Sequence, residues 1–348
     1  MAYLLDTVLA TYMAKYDAKL DQWEQRKNLG YGAITAVMQD TKNTVNANEL
    51  EENLTARGRA EYISVLQRPD FDSTKVTTSP SCTMIDNSTV SAKVGLTWAY
   101  YENGFHMIPS QYGDNVIGYE RDFKVKMDGI IDNAMSILNT AAISHLETNK
   151  SQVNNAEGNP YAFTGNSIIV PTTNQNMFFN EIDPMMLYNN LDVSKLNIVA
   201  TPRVMSYVRY IMAQGAGNAE NLAFQNGNHF YYYDSHLTIP TSYRDVMYMF
   251  PSGSVGMLNW IEQDNRIGQQ AGDGMIWGNM ELIPGLTVGT YRKSSCNDSS
   301  AEAGRSSVGY EASLKDQFKI GFWYSFVTAY NSTPSTVPGT IFKAQLAL

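Results

Sequence analysis

The chain has 348 residues, enough to bury a large core in one elaborated domain or in two intertwined ones. Charged residues make up 17% of it, against roughly 25% in typical soluble proteins, so much of the surface must be neutral or covered by partners. The net charge of -9 argues against a protein that grips nucleic acid, because such proteins use a basic excess to neutralise phosphates. On composition alone, an ordinary polar globular protein remains an alternative.

Residues 1–68 predict two amphipathic helices. Apolar side chains recur at steps of three and four over residues 5–23, which places them on one helical face that should end near Gly30. Residues 49–66 also predict a helix, with Pro69 ending it. Together these segments predict an extended amino-terminal arm.

Residues 69–112 have the character of strands. Thr, Ser, Val and aromatic residues alternate in short runs, as in the ten residues from Thr89 to Trp98. Two strands joined by a turn, without an apolar face broad enough for a core, would form a long hairpin. Such a hairpin is unstable alone and needs a partner surface.

The strongest helix signal lies between Tyr119 and Lys150. One apolar stripe runs along this segment, made of Phe123, Met127, Ile130, Ile131, Ala134, Ile137, Leu138, Ala141, Ala142, His145 and Leu146. The opposite face carries polar residues such as Asp132 and Asn139. About 28 helical residues would give a rod of roughly 40 Å. Gly129 should cost this helix about 1 kcal/mol relative to Ala.

After residue 154, a loop rich in Asn and Gly leads into alternating strands and short helices. The predicted strands are 167–171, 196–200, 229–238, 246–250, 286–291 and 318–330. One helix is predicted over residues 177–190, and another is capped by Thr201, has Pro202 at its first position and ends at Gly215. The fold class is therefore α+β without a clean linker.

The usual enzyme signatures are missing from the sequence. There is no phosphate-binding loop, no HExxH and no nucleophile elbow. Gly30 and Gly32 begin a GxG, but Thr35 follows and no strand precedes it, so a helix end and turn is the better interpretation. We therefore predict no catalytic, cofactor-binding or metal-binding residues and no cofactor.

Two further groups of residues have both a chemical and a structural interpretation. Asp234, Ser235 and His236 are the residue types of a catalytic triad, but consecutive strand residues point to opposite faces and cannot line up. Residues 231–233, all Tyr, could stack on bases or sugars, although a buried strand with an intersubunit contact is favoured. His145 lies on the apolar stripe and is expected to be a packed core histidine.

Metal binding, disulfides and membrane insertion are not indicated. Asp70 and Asp72 could share one face of a strand and hold a cation, but no third acidic ligand is near. Cys82 and Cys296 are far apart and should be free thiols. Because Asp6 interrupts the apolar start and no window approaches ~18 apolar residues, we expect cytosolic expression without a membrane span.

The order of these elements resembles the major capsid proteins of tailed double-stranded-DNA bacteriophages, which have the Hong Kong 97-type fold. Residues 118–123 are similar to the start of that family's spine helix, and residues 69–112 stand where its extended loop would be. Residues 196–208 are similar to the strand, proline-capped turn and helix of its axial domain. Residues 320–330 resemble the strand that re-enters its peripheral domain.

This resemblance implies a domain map. Its parts are the amino-terminal arm and helices (1–68), an extended hairpin loop (69–118), the spine helix and peripheral domain (119–165), the axial domain (166–285) and return strands of the peripheral domain (286–348).

The resemblance also implies a function. The chain would be a structural protein, not an enzyme, that self-assembles into hexamers and pentamers of an icosahedral shell, located in the virion capsid and assembled in the host cytoplasm. The shell would enclose phage double-stranded DNA without sequence-specific binding, which suits an acidic wall. A separate scaffolding protein is implied, because the sequence begins with an amphipathic helix instead of a long charged scaffold segment, and a portal is a further expected partner.

Two alternatives stay open. An encapsulin-type compartment has the same fold but encloses protein cargo. A cytosolic hydrolase or carbohydrate-binding module, supported only by the aromatic content, would be a monomer or small oligomer with a ligand.

Overall fold

A computed structural model describes residues 30–44, 57–66, 91–108, 116–155, 160–213, 224–268, 270, 275–283, 285–297 and 313–348. The α-helices in these ranges are α1 (Gly32–Thr44), α2 (Val116–Thr148), α3 (Gln175–Tyr188), α4 (Val204–Ala213) and α5 (Gln263–Ile267). The strands are β1 (Tyr62–Leu66), β2 (Ser91–Gly95), β3 (Ala99–Met107), β4 (Ala162–Phe163), β5 (Ile168–Val170), β6 (Leu196–Ala200), β7 (Phe224–Asn226), β8 (His229–Tyr233), β9 (Tyr243–Pro251), β10 (Val255–Trp260), β11 (Ile276–Ile283), β12 (Leu286–Asn297), β13 (Ser313–Thr328) and β14 (Phe342–Ala347). These strands form sheets of two, five and seven strands, so the α+β class is confirmed.

The five-stranded sheet is built around the long strand β13. β3 pairs with one edge of β13. On the other edge, β12 pairs with the first part of β13 and β10 pairs with its last part. β11 pairs with the free edge of β12. Alternate β13 residues Phe318, Ile320 and Phe322 are buried in the same core as the apolar side of α2. The ring centroids of Phe123 and Phe318 lie 5.8 Å apart, which marks this contact between helix and sheet.

The predicted long helix is confirmed as α2, whose 33 residues span about 50 Å. Its stripe is buried or half-buried with one exception, because the Ile137 side chain is 41% exposed. Asn139, expected on the polar face, is 1% exposed. Its Oδ1 accepts a hydrogen bond from the backbone N–H of Ile34 at 3.1 Å, so α1 covers this side of α2. The predicted burial of Ile137 and the predicted exposure of Asn139 were therefore wrong. Which side of α2 is buried depends on α1 as well as on the sheet.

The seven-stranded sheet has the order β4-β5-β14-β9-β6-β8-β7. β5 pairs parallel with β14 and β6 pairs parallel with β8, while the other neighbours are antiparallel. α3 and α4 pack in the core on one side of this sheet, and α1 packs with sheet residues such as Val199 and Tyr248 in the other core. With both faces covered, all five residues of β6 are buried.

α1 lies between the two large sheets. It contacts β10 of the five-stranded sheet, β6 and β8 of the seven-stranded sheet, and α2. Its apolar residues Ala33, Ile34, Ala36 and Val37 are fully buried. The sequence did not predict this helix, since the glycines at its start were interpreted as the end of a preceding helix and a turn.

The amino-terminal assignments are corrected in one place. The helix predicted over residues 49–66 is wrong at its end, because Tyr62–Leu66 form β1, paired antiparallel with β2. The β-branched and aromatic sequence Tyr-Ile-Ser-Val-Leu favours a strand, and only Ile63 of its first three residues is buried. The helix predicted over residues 5–23 and residues 49–56 lie outside the described residues.

The pairing of the predicted hairpin also differs from expectation. Its two visible strands are β1 and β2, so one of them begins before residue 69. β3, which was expected within the hairpin, instead pairs with β13 over nine residues and belongs to the five-stranded sheet. Periodicity identifies a strand but not its partner, since alternation is the same in a hairpin arm and in a sheet edge.

The carboxy-terminal assignments differ from the structure in several places: the strand predicted over 229–238 ends at Tyr233, and strands including β10 and β11 were not predicted. Predicted strand 196–200 is confirmed with the same bounds, and α3 falls within two residues of its prediction. α4 begins at Val204 rather than at Pro202, and the hydroxyl of Thr201 donates to Asp245 Oδ1 at 2.8 Å. β14 was not predicted as a strand, and it lies inside the seven-stranded sheet between β5 and β9.

Candidate assembly surfaces

The antiparallel β1–β2 pair, here named the hairpin root, is attached to the five-stranded sheet. The guanidinium carbon of Arg59 lies 3.6 Å from the ring centroid of Trp323, a cation–π contact. The indole N–H of Trp98 donates to the carbonyl of Ala60 at 2.7 Å. Ile63 packs on Leu258 and on the end of β13 in a small separate cluster. The root is therefore fixed, although its own apolar core is small.

The close approach of α1 to the end of β8 explains why glycines occupy positions 30 and 32. Gly30 has φ +81°, a conformation that favours glycine, and a Cβ on Gly32 would lie 2.6 Å from the carbonyl oxygen of Tyr233. The rings of Tyr31 and His236 stack with centroids 5.1 Å apart. The GxG thus lets α1 begin against the backbone of β8, and no dinucleotide site is formed.

Asp234, Ser235 and His236 are close together but are not arranged as a triad. Ser235 Oγ and Asp234 Oδ1 both lie 3.4 Å from the same ring nitrogen of His236, Nδ1. A triad requires the serine and the carboxylate on opposite ring nitrogens. The carboxylate of Asp234 is fully buried and accepts backbone N–H groups of Ala33 and His236 at 2.9 and 2.8 Å. Its role is to cap the start of α1.

The tyrosines at 231–233 lie in the buried strand β8 and do not form an exposed stacking platform. Tyr231 and Tyr232 are 1% and 7% exposed, which confirms the buried-strand part of the favoured interpretation. Burial raises the pKa of both phenols, that of Tyr232 to about 12. The hydroxyl of Tyr232 donates to Gln39 Oε1 of α1 at 2.7 Å.

A charged cluster connects the end of α2 to the centre of the seven-stranded sheet. Glu147 accepts hydrogen bonds from Lys150, Lys343 and the hydroxyl of Tyr248 at 2.7, 2.9 and 2.6 Å. Burial alone would raise the pKa of Glu147, but hydrogen bonds from these three groups and the charge of Lys343 lower it to about 2. Lys343 itself is buried, so this pair holds α2 against β14.

The histidines have structural partners. His145 lies 2.5 Å from Thr328 Oγ1 and stacks on Phe326, and burial lowers its pKa to about 4. The packed interpretation of His145 is confirmed. His229 Nε2 lies 2.6 Å from Asp183 Oδ1 of α3, and the carbonyl of His106 in β3 accepts a hydrogen bond from Lys126 Nζ.

No metal cluster or membrane span is found in the described part of the chain. Within these ranges, no three His, Cys, Asp or Glu side chains are grouped closely enough to hold a metal ion. The helices there are also too short or too polar to cross a membrane. Asp70, Asp72 and Cys82 lie outside the described residues, as does the side chain of Cys296.

Several large apolar side chains are exposed on the helices. On α2, Ile117 is 79% and Val125 is 63% exposed, and on α3, Met177, Leu187 and Tyr188 are each more than half exposed. The sequence did not predict that these side chains are exposed. A helical pattern places apolar residues on one face of a helix but does not show what covers that face. Contiguous apolar patches mark surfaces that contact another protein, whereas singly exposed apolar side chains are common on protein surfaces.

No protein-family model and no curated protein matches the chain. Solved structures of phage capsids match it across most of its length. The capsid structure of the cyanophage P-SCSP1u matches with a TM-score of 0.46 and 9% identity, covering 85% of both chains. The mature capsid of bacteriophage PhiM1 matches with a TM-score of 0.41 and 10% identity, covering 85% of this chain and 86% of that one. A chain of Mycobacterium phage Patience matches with a TM-score of 0.43 and 9% identity, covering 94% and 87%.

Proposed function

We propose that this chain is a shell-forming subunit, the major capsid protein of a tailed double-stranded-DNA bacteriophage. The observation that carries the proposal is the hairpin root formed by β1 and β2. Between Leu66 and Ser91 lie 24 residues, and the root itself buries little apolar surface. We infer that this connection extends the pair as a hairpin, which would gain stability by lying over another copy, and many such weak contacts would close a shell by symmetry.

Three further features support association as the function. The chain has few charged residues, exposed apolar side chains on α2 and α3, and polar clusters whose described members pair with one another. The Asp234 group, which the sequence singled out for its catalytic residue types, caps a helix. We therefore infer a structural role without catalysis.

We further propose that the parts of the fold correspond to those of the Hong Kong 97-type subunit. The five-stranded sheet with α2 would be the peripheral domain, and the seven-stranded sheet with α3 and α4 would be the axial domain around which copies gather in hexamers and pentamers. A separate scaffolding protein would guide assembly, and a portal would replace one pentamer. The net charge of -9 suits a wall that encloses DNA without holding it.

The test is assembly of the expressed protein with and without the phage's scaffolding protein. We expect capsomers by size-exclusion chromatography with light scattering, and closed shells by negative-stain microscopy. A strictly monomeric protein at every concentration and salt, even with scaffold, would contradict the proposal. Closed shells that attach to no tails and carry an enzyme instead of DNA would support an encapsulin-type compartment.

A shortened hairpin makes the test specific. Replacing residues 67–90 by Asn-Gly keeps β1, β2 and β3, so the subunit should still fold while closed shells are lost. Removing β3 as well would take nine residues from the edge of the five-stranded sheet, and that variant should unfold. If the shortened hairpin also unfolds the subunit, the segment belongs to the core and not to an arm.

A further inference from the structure

β3 is a long strand with one edge that no described strand covers. It pairs with β13 over nine residues on one side, and no strand of the described ranges pairs with it on the other side. Its sequence contains three Tyr or Phe residues and no proline. A free edge of this length and composition is a template for pairing with another chain, and native proteins protect such edges.

The backbone groups that face this free edge belong to Glu102, Gly104 and His106. In an antiparallel strand, the N–H and C=O of one residue point to the same side, and the side alternates from residue to residue. The N–H of Gly104 donates to Asn103 Oδ1 at 2.8 Å. The carbonyl of His106 accepts a hydrogen bond from Lys126 Nζ at 3.2 Å. Two of the groups that an added strand would need are therefore already hydrogen-bonded.

The side chains that occupy this edge are held in place by α2. Lys126 forms an ion pair with Asp122, one turn earlier on the helix, at 2.7 Å. Asn133 Oδ1 accepts a hydrogen bond from Asn103 Nδ2 at 3.1 Å, so the amide of Asn103 is itself anchored to the helix. A strand that approached this edge would have to displace an ammonium and an amide that are both paired, and both displacements cost free energy.

We propose that Asn103 and Lys126 form an edge guard, which prevents β3 from pairing with β3 of a second copy. Two identical free edges would pair antiparallel about a twofold axis and join the five-stranded sheets of two subunits into one. With the edge guard in place, that pairing would trap a charged ammonium between the two strands, which is unfavourable. The inference concerns the unassembled subunit and does not depend on the proposed shell.

The strand at the opposite edge of the sheet is protected in a different way. β11 contains a bulge between Glu281 and Ile283, and α5 contacts it. A bulge bends and twists a strand, so that the strand no longer offers a flat edge for pairing. β3 has no bulge along its pairing with β13, and its protection comes from side chains instead.

The test is removal of the edge guard from the full chain. Asn103→Ala and Lys126→Met together remove both hydrogen bonds, and methionine retains the apolar stem of the lysine. At concentrations where the parent is monomeric, we expect the double variant to form dimers by light scattering. Its dimer dissociation constant should be lower than that of the parent by about tenfold or more, the effect of about one net hydrogen bond. Lys126→Arg retains a donor and should stay monomeric.

Lys124→Met is the matched control. Lys124 is exposed and lies two residues before Lys126, on a different side of the helix, so its replacement changes the net charge equally and leaves the edge guard intact. It should stay monomeric. Melting followed by circular dichroism checks the folding of every variant. Lys126→Met alone retains Asn103 and should dimerise more weakly than the double variant, so a folding defect confined to the double variant leaves the test intact.

Amide hydrogen exchange locates the contact. In dimers formed through β3, the amides of Glu102, Gly104 and His106 should exchange more slowly than in the same variant diluted to monomers. A double variant that stays monomeric like the parent would overturn the inference, and so would dimers in which these amides exchange as freely as in the monomer. Shell formation is measured separately on the parent, so neither outcome bears on the proposed shell function.

Discussion

Removing the Asp234 carboxylate should destabilise the subunit substantially, because this group holds the start of α1 from a position about 200 residues away. Its two oxygens accept one backbone N–H each, from Ala33 at 2.9 Å and from His236 at 2.8 Å, and the residue is fully buried. Hydrogen bonds to charged groups contribute about 1.5–3 kcal/mol each, and losing a helix cap costs about 1 kcal/mol. We expect Asp234→Ala to lower the free energy of unfolding by about 3 kcal/mol.

Asp234→Asn should cost about half as much, since its amide oxygen can accept one of the two N–H groups and its NH₂ group faces the other. Both variants would be measured as shifts of the urea midpoint of the unassembled subunit, at unchanged slope. Ser235→Ala is the matched control, because this neighbouring residue is exposed and should change stability by less than about 0.5 kcal/mol. A midpoint for Asp234→Ala equal to that of Ser235→Ala would refute the capping role.

Three further perturbations test α2. Ala134→Pro should cost about 3 kcal/mol or more and abolish soluble assembly, while Ser136→Ala should melt like the parent by circular dichroism. Gly129→Ala should stabilise the subunit by about 0.5–1 kcal/mol in the same melts, because a Cβ at Gly129 meets no atom within 4 Å. The Glu147 pKa is lowered from 4.5 to about 2 on folding, so its stabilisation is present above pH 4.5 and disappears as pH falls towards 2. Urea unfolding should therefore find Glu147→Gln less stable than the parent at pH 7, with the difference shrinking below pH 4.5.

Local patterns predicted the elements well where burial follows the chain itself. β6 is apolar except for Asn197 and is buried on both faces, and its bounds match the prediction. The α2 stripe follows from helical spacing against one sheet. Ile137 and Asn139 depart from it because a second neighbour, α1, covers a different side.

The sequence did not allow us to predict which strands pair with one another. Whether β3 joins β2 or β13, and whether β14 returns to the seven-stranded sheet, depends on partners far apart in the chain. The start of α1 could not be predicted for a similar reason. Its cap, Asp234, directly follows β8 and is about 200 residues away in the chain.

The position of α1 has a mechanical consequence. Its first N–H groups are held by Asp234, at the end of the seven-stranded sheet, and by Asn139, on the helix that backs the five-stranded sheet. A hinge motion that opened the seam between the two sheets would have to break one of these anchors or carry the helix along. α1 is thus anchored to both halves of the subunit.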